Sequence, residues 1–469
     1  MISTVDAGVA AEQAWRDGDT ATAIETADQV LGSGTDPDCR AAGVAAAATA
    51  ADGALFDAAD RWRQIATALG GVPGSWAGGR AALSACLAGD VTAAQQDLAE
   101  SQSLLAVAAP RGLTVLFDGI TATMHAIHGG LNHAARRLAG LAVATVPADP
   151  LAPQRWDDLA VTVMLAAGED ATAREMLTAY RDRPQSTRRR LLAAWLDLRA
   201  GRLSDARNAL AAAGDVPVLR RDAVLAAAVT VGLARRTGDG DTLRSTWHRI
   251  APVLHGADIE LFLLEAWGEL ATAAALVSPT DQDQITSALA ETVSRAGAPA
   301  WAAAAQAWWS LQQAIATDDP AAAAAAADQL TGSSPRAAAS RAWTAVVQGT
   351  AEPANIIAAA EDLADAGQPW EAATLCATAA ARLGNVELLS TARTIRARIA
   401  TTEAAAGGLS TRESAVGKLL LDGLTQKEIG ARLYISPKTV EQHVARLRQK
   451  LEASNRAELV AALRTRLAS

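Results

Sequence analysis

Cysteine, lysine, tyrosine and phenylalanine are all scarce in this sequence of 469 residues. Its three cysteines, Cys39, Cys86 and Cys376, stand far apart and form no CxxC pair. A disulfide framework and a cysteine zinc site are therefore both disfavoured, and a reducing compartment fits best. Alanine supplies most of the apolar residues, and aromatic residues make up only 4% of the chain. This composition favours closely packed helices over sheets.

Long uninterrupted apolar runs are also lacking. The first twenty residues, MISTVDAGVAAEQAWRDGDT, have no basic n-region and no continuous apolar stretch, and no segment approaches the length of an apolar membrane span. We therefore predict no signal peptide, no membrane partner and a cytoplasmic location.

Motifs for catalysis are lacking too. The sequence has no G-x4-G-K-[ST] phosphate loop and no alternating strand and helix pattern with clustered acidic residues. His125, His128 and His133 in HAIHGGLNH could converge on a metal, but they flank a glycine turn and no nearby acidic or cysteine ligand completes the set. A solvated hairpin turn is favoured, and we predict no enzyme activity, no cofactor and no metal site.

Positive charge is concentrated near the end of the chain. Residues 409–469 hold 11 Lys and Arg against 6 Asp and Glu, a balance of +5, which leaves 31 against 45, or −14, for residues 1–408. All four lysines fall in this final segment. The asymmetry suits an anionic partner for the segment, with an ordinary solvated helix surface as the alternative.

A glycine recurs through the N-terminal half, at Gly18, Gly53, Gly89, Gly130, Gly168 and Gly201. An alanine follows five residues after each glycine, an apolar residue nine after it, and a small residue stands seven before it. A glycine that ends one helix in a left-handed conformation, followed by an alanine that lets the next helix come close, explains these offsets.

These positions resemble the tetratricopeptide repeat, a helix–turn–helix unit with glycine at the turn and alanine in its second helix. The resemblance covers residues 1–215 and weakens beyond, since residues 255–400 show helices without a clean register. It implies an all-α fold, with a TPR-like α-solenoid of about ten helix pairs over residues 1–402 as the interaction region. The alternative is chance recurrence in an alanine-rich helical chain. The glycines of EAAAGG place a linker at residues 403–408.

Capping residues mark four helix starts in residues 409–469: Ser410 with Glu413, Thr425 with Glu428, Ser436 before Pro437, and Asn455 with Glu458. They predict helices over residues 411–422, 426–433, 437–451 and 456–467. Only a three-residue turn separates the second helix from the third. This arrangement predicts a helix-turn-helix whose third helix is the recognition element.

The third helix is amphipathic. A buried stripe is predicted on one side, at Val440, Val444, Leu447 and Leu451. The other surface carries mostly long polar side chains, and the helix begins with donors that suit a phosphate, namely Ser436, Lys438 and Thr439.

The segment LSTRESAVGKLLLDGLTQKEIGARLYISPKTVEQHVARLRQKLEASNRAELVAAL resembles the LuxR/GerE-type DNA-binding domain over its full length. The matching residues include Leu409, Glu413, Val416, Gly423, Ile435 to Val440 (ISPKTV), His443, Leu451 and Asn455. The resemblance implies DNA binding through Thr425, Lys427, Ser436, Lys438, Thr439, Glu441, Gln442, Ala445 and Arg446. Within this set, Glu441, Gln442 and Ala445 would face base edges in the major groove. It also implies dimerisation through the fourth helix, at Leu459, Val460 and Leu463.

Two functions are compatible with this organisation. The first is a bacterial transcription regulator, in which residues 409–469 bind a two-fold promoter site as a dimer and the repeat region receives a peptide or protein signal, with RNA polymerase as a further partner. The alternative is a TPR-type scaffold whose helix-turn-helix docks a protein. Salt dependence separates the two functions, because phosphate contacts weaken steeply with salt and protein docking need not.

Overall fold

We analysed a computed structural model of the chain. It describes residues 4–17, 19–32, 36, 39–106, 108–143, 151, 154–180, 186–214, 219–237, 240–405, 411–433, 437–451, 453 and 455–467. The described residues form helices and no strands, which confirms the all-α prediction. Twenty-six α-helices lie in this part of the chain.

The helices and one 3-10 turn, η1, have the following bounds: α1 Thr4–Arg16, α2 Thr20–Gly32, α3 Arg40–Ala51, α4 Leu55–Leu69, α5 Gly71–Leu87, α6 Val91–Ser103, α7 Arg111–Ile127, α8 Leu131–Ala142, α9 Trp156–Ala166, α10 Asp170–Ala179, α11 Thr187–Arg199, α12 Leu203–Ala212, α13 Arg220–Thr237, α14 Gly240–Leu254, η1 Leu261–Leu263, α15 Leu264–Val277, α16 Pro279–Arg295, α17 Ala300–Ala316, α18 Pro320–Gln329, α19 Pro335–Gln348, α20 Pro353–Asp365, α21 Pro369–Leu383, α22 Val386–Ala405, α23 Thr411–Leu421, α24 Gln426–Leu433, α25 Pro437–Lys450 and α26 Arg456–Leu467.

The chain divides into two compact units. Unit 1 is Met1–Leu192 with Asp215–Ser333, and unit 2 is Ala193–Gly214 with Ser334–Ser469. Consecutive helices pack in pairs through both units, for example α3 with α4, α5 with α6, and α21 with α22. First helices of successive pairs also pack together, as α1 does with α3, α5 with α7, and α13 with α15. This pattern is that of stacked helical hairpins.

The turn glycines have the predicted backbone conformation. Gly53, Gly89, Gly168 and Gly201 all have φ between 76° and 86°, in the region that costs glycine little. The alanine five residues after each of them is fully buried: Ala58, Ala94, Ala173 and Ala206. A methyl group at these positions lets the second helix lie close to its neighbours. Gly18 lies outside the described residues.

One turn needs a correction of register. The left-handed residue of the α7–α8 turn is Gly129, with φ 103°, whereas Gly130 lies at φ −80° as the N-cap residue just before α8. The alanine five residues after Gly129 is Ala134, which is fully buried. Two adjacent glycines and two adjacent alanines, Ala134 and Ala135, made the two registers indistinguishable in the sequence.

The hairpins continue where the sequence shows no register. Asp318 takes the glycine position in the α17–α18 turn, with φ 55°, a conformation that Asp tolerates better than most residues. Ala323, five residues later, is 1% exposed, as in the earlier hairpins. In this turn the helical hairpin is kept, and its sequence signal is lost because Asp318 stands where the earlier turns have glycine.

Unit 1 folds back on its own first hairpins. The backbone N–H of Asp258 donates to the Gly53 carbonyl at 2.9 Å, and the Asp258 carboxylate accepts from the Phe56 N–H at 3.1 Å. The Trp301 indole N–H donates to the Ile127 carbonyl at 3.0 Å. These contacts join residues that are more than 170 positions apart in the sequence. The edge of the hairpins that carries these turns is therefore partly covered.

The 3-10 turn η1 fills part of the surface formed by the first helices of the pairs. It packs against α5, α9 and α15, and its three residues, Leu261, Phe262 and Leu263, are at most 5% exposed. A ligand that runs along the first helices cannot occupy this stretch.

A buried ion network lies beside η1. Glu260 accepts from Arg188 at 2.7 Å and from Arg221 at 2.8 Å, and Arg188 also donates to Asp222 at 3.2 Å. The Arg221 guanidinium donates in addition to Gln154 at 2.7 Å. Burial opposes ionisation of Glu260, but the two guanidiniums outweigh it and lower the pKa of this carboxyl below its ordinary value.

A second buried network closes the α13–α15 contact. Glu269 accepts from Arg235 at 2.7 Å and from Arg236 at 2.9 Å. Burial would raise the pKa of Glu269, but the two arginines lower it to about 2. Both networks hold charged side chains in the interior, where a lost partner is costly.

Replacing Gly89 by alanine is expected to destabilise unit 1 by about 1–2 kcal/mol, because alanine is strained at φ 80° and its Cβ would lie 3.3 Å from the Thr292 carbonyl oxygen. Urea unfolding followed by tryptophan fluorescence measures this effect. Gly140→Ala is the matched control, since Gly140 lies in α8 with no atom within 4 Å of the added methyl group. That control should stabilise slightly, and equal effects of the two changes would contradict the assigned turn.

Candidate nucleic-acid interface

The last four helices follow the predicted pattern. The predicted bounds 411–422, 426–433, 437–451 and 456–467 agree to within one residue with α23, α24, α25 and α26. Gly423 follows the end of α23 with φ 81°, and its N–H donates to the Leu420 carbonyl at 3.1 Å. A left-handed glycine allows the sharp change of direction between α23 and α24.

Two of the predicted caps are reciprocal. The Thr425 N–H and hydroxyl donate to the Glu428 carboxylate at 2.8 and 2.7 Å, and the Glu428 N–H donates back to the hydroxyl at 3.4 Å. At the start of α26 the Glu458 N–H donates to the Asn455 side-chain oxygen at 2.9 Å, and the Asn455 side-chain amide donates to the Glu458 carboxylate at 2.7 Å. The hydrogen bonds from Thr425 favour the ionised carboxylate and so lower the pKa of Glu428 below its ordinary value.

A single apolar core holds α23 to α26 together, with α25 packed against both α23 and α24. Of the predicted stripe, Val440, Val444 and Leu447 are at most 8% exposed, and Leu451 is partly buried. The other fully or nearly fully buried members are Val416, Leu420, Ile429, Ala453, Leu459 and Leu463. The core fixes the rotation of α25, and so decides which of its residues face outward.

The outward face of α25 carries most of the predicted DNA-binding side chains. Five of them are exposed, and they comprise two cations, a carboxylate, an amide and a methyl group: Lys438, Glu441, Gln442, Ala445 and Arg446. Lys438, Gln442 and Arg446 are spaced four residues apart, so they follow one line along the helix. Thr439 is half-buried beside them. This face can donate to phosphates and both donate to and accept from base edges.

Thr425 and Lys427 lie at the start of α24 and are both exposed. Ser436 lies outside the described residues. Arg448 was missed by the sequence reasoning: it is exposed and stands seven residues after Glu441, hence on the same side of α25. In the sequence, Arg448 lies between Leu447 and Leu451 of the apolar stripe, and its basic side chain could have indicated a DNA contact.

Two of the three predicted dimerisation residues lie in the core of the domain. Leu459 is 1% exposed and Leu463 is fully buried, and both belong to the core described above. The apolar side of α26 is therefore used within the domain itself. Val460 is partly exposed, and of the three predicted residues it alone has a side chain that reaches the surface.

Two of the three histidines at the α7–α8 turn, His125 and His133, pack on each other. The rings of His125 and His133 meet edge to face with centroids 5.5 Å apart. Within the described ranges, no group of three or more His, Cys, Asp or Glu side chains is arranged to hold a metal. No described helix is both long and apolar enough to cross a membrane.

Comparison with known proteins assigns this part of the chain. Residues 408–463 match the model of the GerE family, described as bacterial regulatory proteins, luxR family. No curated protein matches the chain. The family match indicates a DNA-binding helix-turn-helix transcription regulator, in agreement with the resemblance inferred from the sequence.

Proposed function

We propose that the protein is a transcription regulator that binds double-stranded DNA by placing α25 in the major groove. The observation that carries the proposal is the exposed line of polar and basic side chains on α25, opposite an apolar core, in a domain that matches a family of bacterial regulators. Lys427 at the start of α24 and Lys438 and Thr439 at the start of α25 would contact phosphates. Glu441, Gln442 and Ala445 would face the bases.

The helical-repeat region, residues 1–402, is the proposed receiver of a peptide or protein signal. Its support is the stack of helical hairpins, an architecture that presents extended surfaces to partners, together with a net charge of −14 over residues 1–408 that disfavours DNA there. The proposed domain division is a repeat region over residues 1–402, a linker at 403–408, whose first three residues are the end of α22, and a DNA-binding domain at 409–469. The regulator would act in the cytoplasm and contact RNA polymerase at its promoter.

The proposed oligomer on DNA is a homodimer, in which the outer face of α26 around Val460 meets its copy. Two recognition helices related by a two-fold axis would read two half-sites. Val460→Glu is expected to weaken binding to a full two-fold site by about tenfold or more, since a carboxylate would be buried in the pair, and to change half-site binding no more than a control with the same charge change does. Lys418→Gln, which makes the same charge change on α23, should alter both affinities equally. Equal loss on full and half sites in Val460→Glu would contradict a dimer through α26.

Enrichment sequencing of sheared genomic DNA on the purified full-length chain tests the proposed function. A regulator enriches one sequence motif with two-fold symmetry, and its binding falls steeply as salt is raised. If no sequence is enriched, the regulator proposal fails, and a scaffold whose helix-turn-helix docks a protein becomes the better account.

A further inference from the structure

Unit 1 contains a cavity of about 700 Å³ between its first three hairpins. It is lined from α1, α3, α4 and α5, and its walls are mainly aromatic and aliphatic: Trp15, Val44, Trp62, Ile65, Leu69 and Trp76. A volume of this size, apolar walls and a few polar groups are the usual properties of a site for a small organic group.

The charged side chains of this cavity are mostly cationic. Arg16, Arg40 and Arg80 line it together with a single carboxylate, Glu12, which gives three positive charges against one negative charge. Glu12 is already shared, since it pairs with both Arg16 and Arg40. The excess of positive charge is local, because residues 1–408 as a whole carry a net charge of −14.

Arg80 lies against the aromatic wall. Its guanidinium carbon is 4.8 Å from the centroid of the Trp62 ring and 5.5 Å from that of Trp76. The two indoles thus hold the guanidinium at the edge of the apolar space, where an anionic group next to an apolar body would meet it.

Trp62 is a buried part of the wall. This side chain is only 1% exposed, and its indole N–H has no hydrogen-bond partner among the described residues. Its contribution to the wall is therefore the apolar ring, against which the Arg80 guanidinium stacks.

A second cavity in the same hairpins provides a contrast. It has about the same volume, 690 Å³, and is lined from α4, α5 and α6, but its charged lining is acidic: Asp60, Asp90, Asp97 and Glu100 against Arg63. Burial raises the pKa of Asp97 more than its bonds to Arg63 lower it. An anion is disfavoured there, so the basic character of the first cavity is particular to that cavity.

We infer that the cavity between α1, α3, α4 and α5 binds a carboxylate attached to an aromatic or bulky apolar group. Arg80, with Arg16 and Arg40, would take the carboxylate, while Trp15, Trp62 and Trp76 enclose the apolar part. The C-terminal residue of a peptide and a free N-acyl amino acid share this chemistry. The inference deepens the proposal that the repeat region receives a signal, but the binding itself requires no DNA.

Isothermal titration calorimetry on the full-length chain tests the inference with the N-acetyl derivatives of phenylalanine, tryptophan and leucine and with the matching amides. At least one acid is expected to bind about tenfold or more tightly than its amide. Hexapeptides that end in the same residue, with a free or amidated C-terminus, distinguish a peptide from a small molecule by whether the added residues tighten binding.

Variants of the cavity sharpen the test. Arg80→Met keeps an unbranched side chain without the charge and should remove the preference for the acid, whereas Arg244→Gln, at an exposed arginine of α14, should not. Glu12→Gln removes the competing carboxylate and should tighten binding of the acid severalfold, a gain that misfolding cannot produce.

Thiol labelling of the wild-type chain gives a second measurement. Cys39 is half-buried and lines the cavity, whereas Cys86 and Cys376 are buried, so bound acid should slow labelling at Cys39.

The inference is overturned if none of the acids binds more tightly than its amide, or if Arg80→Met leaves the preference unchanged and Glu12→Gln fails to strengthen it. Such a result would leave the enrichment of DNA sequences unaffected, so failure of the ligand site and failure of the regulator proposal can be told apart. Conversely, a chain that enriches no DNA can still bind the acid.

Discussion

Replacing Lys438, Gln442 and Arg446 together by alanine is expected to lower the affinity of the full-length chain for its enriched DNA site by about 100-fold or more. All three side chains are exposed on one line of α25 and none belongs to the core. A bidentate contact of Gln442 to a base would contribute about 1–3 kcal/mol, and a factor of 100 requires about 2.8 kcal/mol, so loss of this contact together with the cationic contacts of Lys438 and Arg446 suffices.

The control for this variant carries Lys418→Ala with Arg464→Ala. It removes two positive charges, as the triple variant does, but from exposed positions on α23 and α26. Fluorescence anisotropy with the labelled site should show a much smaller loss. Equal losses in the two proteins would mean that net charge, and not the face of α25, governs binding.

Salt dependence separates the contributions within α25. Lys438→Ala alone should reduce the slope of log affinity against log salt by about 0.9, the value for one phosphate contact, and weaken all DNA sequences alike. Gln442→Ala should leave the slope unchanged and lower the preference for the enriched site. A Gln442→Ala protein that kept full sequence preference would contradict the assignment of this residue to the bases.

Replacing Glu260 by glutamine is expected to destabilise unit 1 by about 3–5 kcal/mol, because Arg221 and Arg188 would remain buried without their shared carboxylate. Urea unfolding measures this change through tryptophan fluorescence, since nine of the twelve tryptophans lie in unit 1. Asp241→Asn is the control. It breaks an ion pair whose side chains are 59% and 91% exposed, and such pairs contribute at most about 1 kcal/mol.

The same variant should change the response to acid. The pKa of Glu260 is lowered on folding, so its ionised form stabilises the native protein at pH values above the ordinary value of 4.5, and this stabilisation is lost as the pH falls further. Glu269, with its pKa lowered to about 2, contributes in the same direction. The wild-type chain should therefore lose more stability than Glu260→Gln between pH 5 and pH 2. A parallel decline in both proteins would show that Glu260 is not paired as described.

The sequence alone determined the local features of this protein. Capping pairs such as Thr425 with Glu428 set the helix starts of the DNA-binding domain to within one residue, because these hydrogen bonds join residues three positions apart. The turn glycines and the alanines five residues later specified the first hairpins for the same reason. Periodicity also placed Val440, Val444 and Leu447 in the core and left Gln442 outside it.

Tertiary structure decided whatever depends on contacts between distant residues. Leu459 and Leu463 could have formed a dimer surface or a core, and only the packing of α26 on α23 shows that they are buried within the domain. The Arg188–Glu260 pair joins residues 72 positions apart, and the Asp258 bond to Phe56 joins residues 202 apart, beyond any local pattern. The cavity of Trp62 and Arg80 likewise exists only because three hairpins stack. Local hydrogen bonds and side-chain periodicity can be read along the chain, whereas the partners of a buried charge or a cavity wall are fixed only when the hairpins pack.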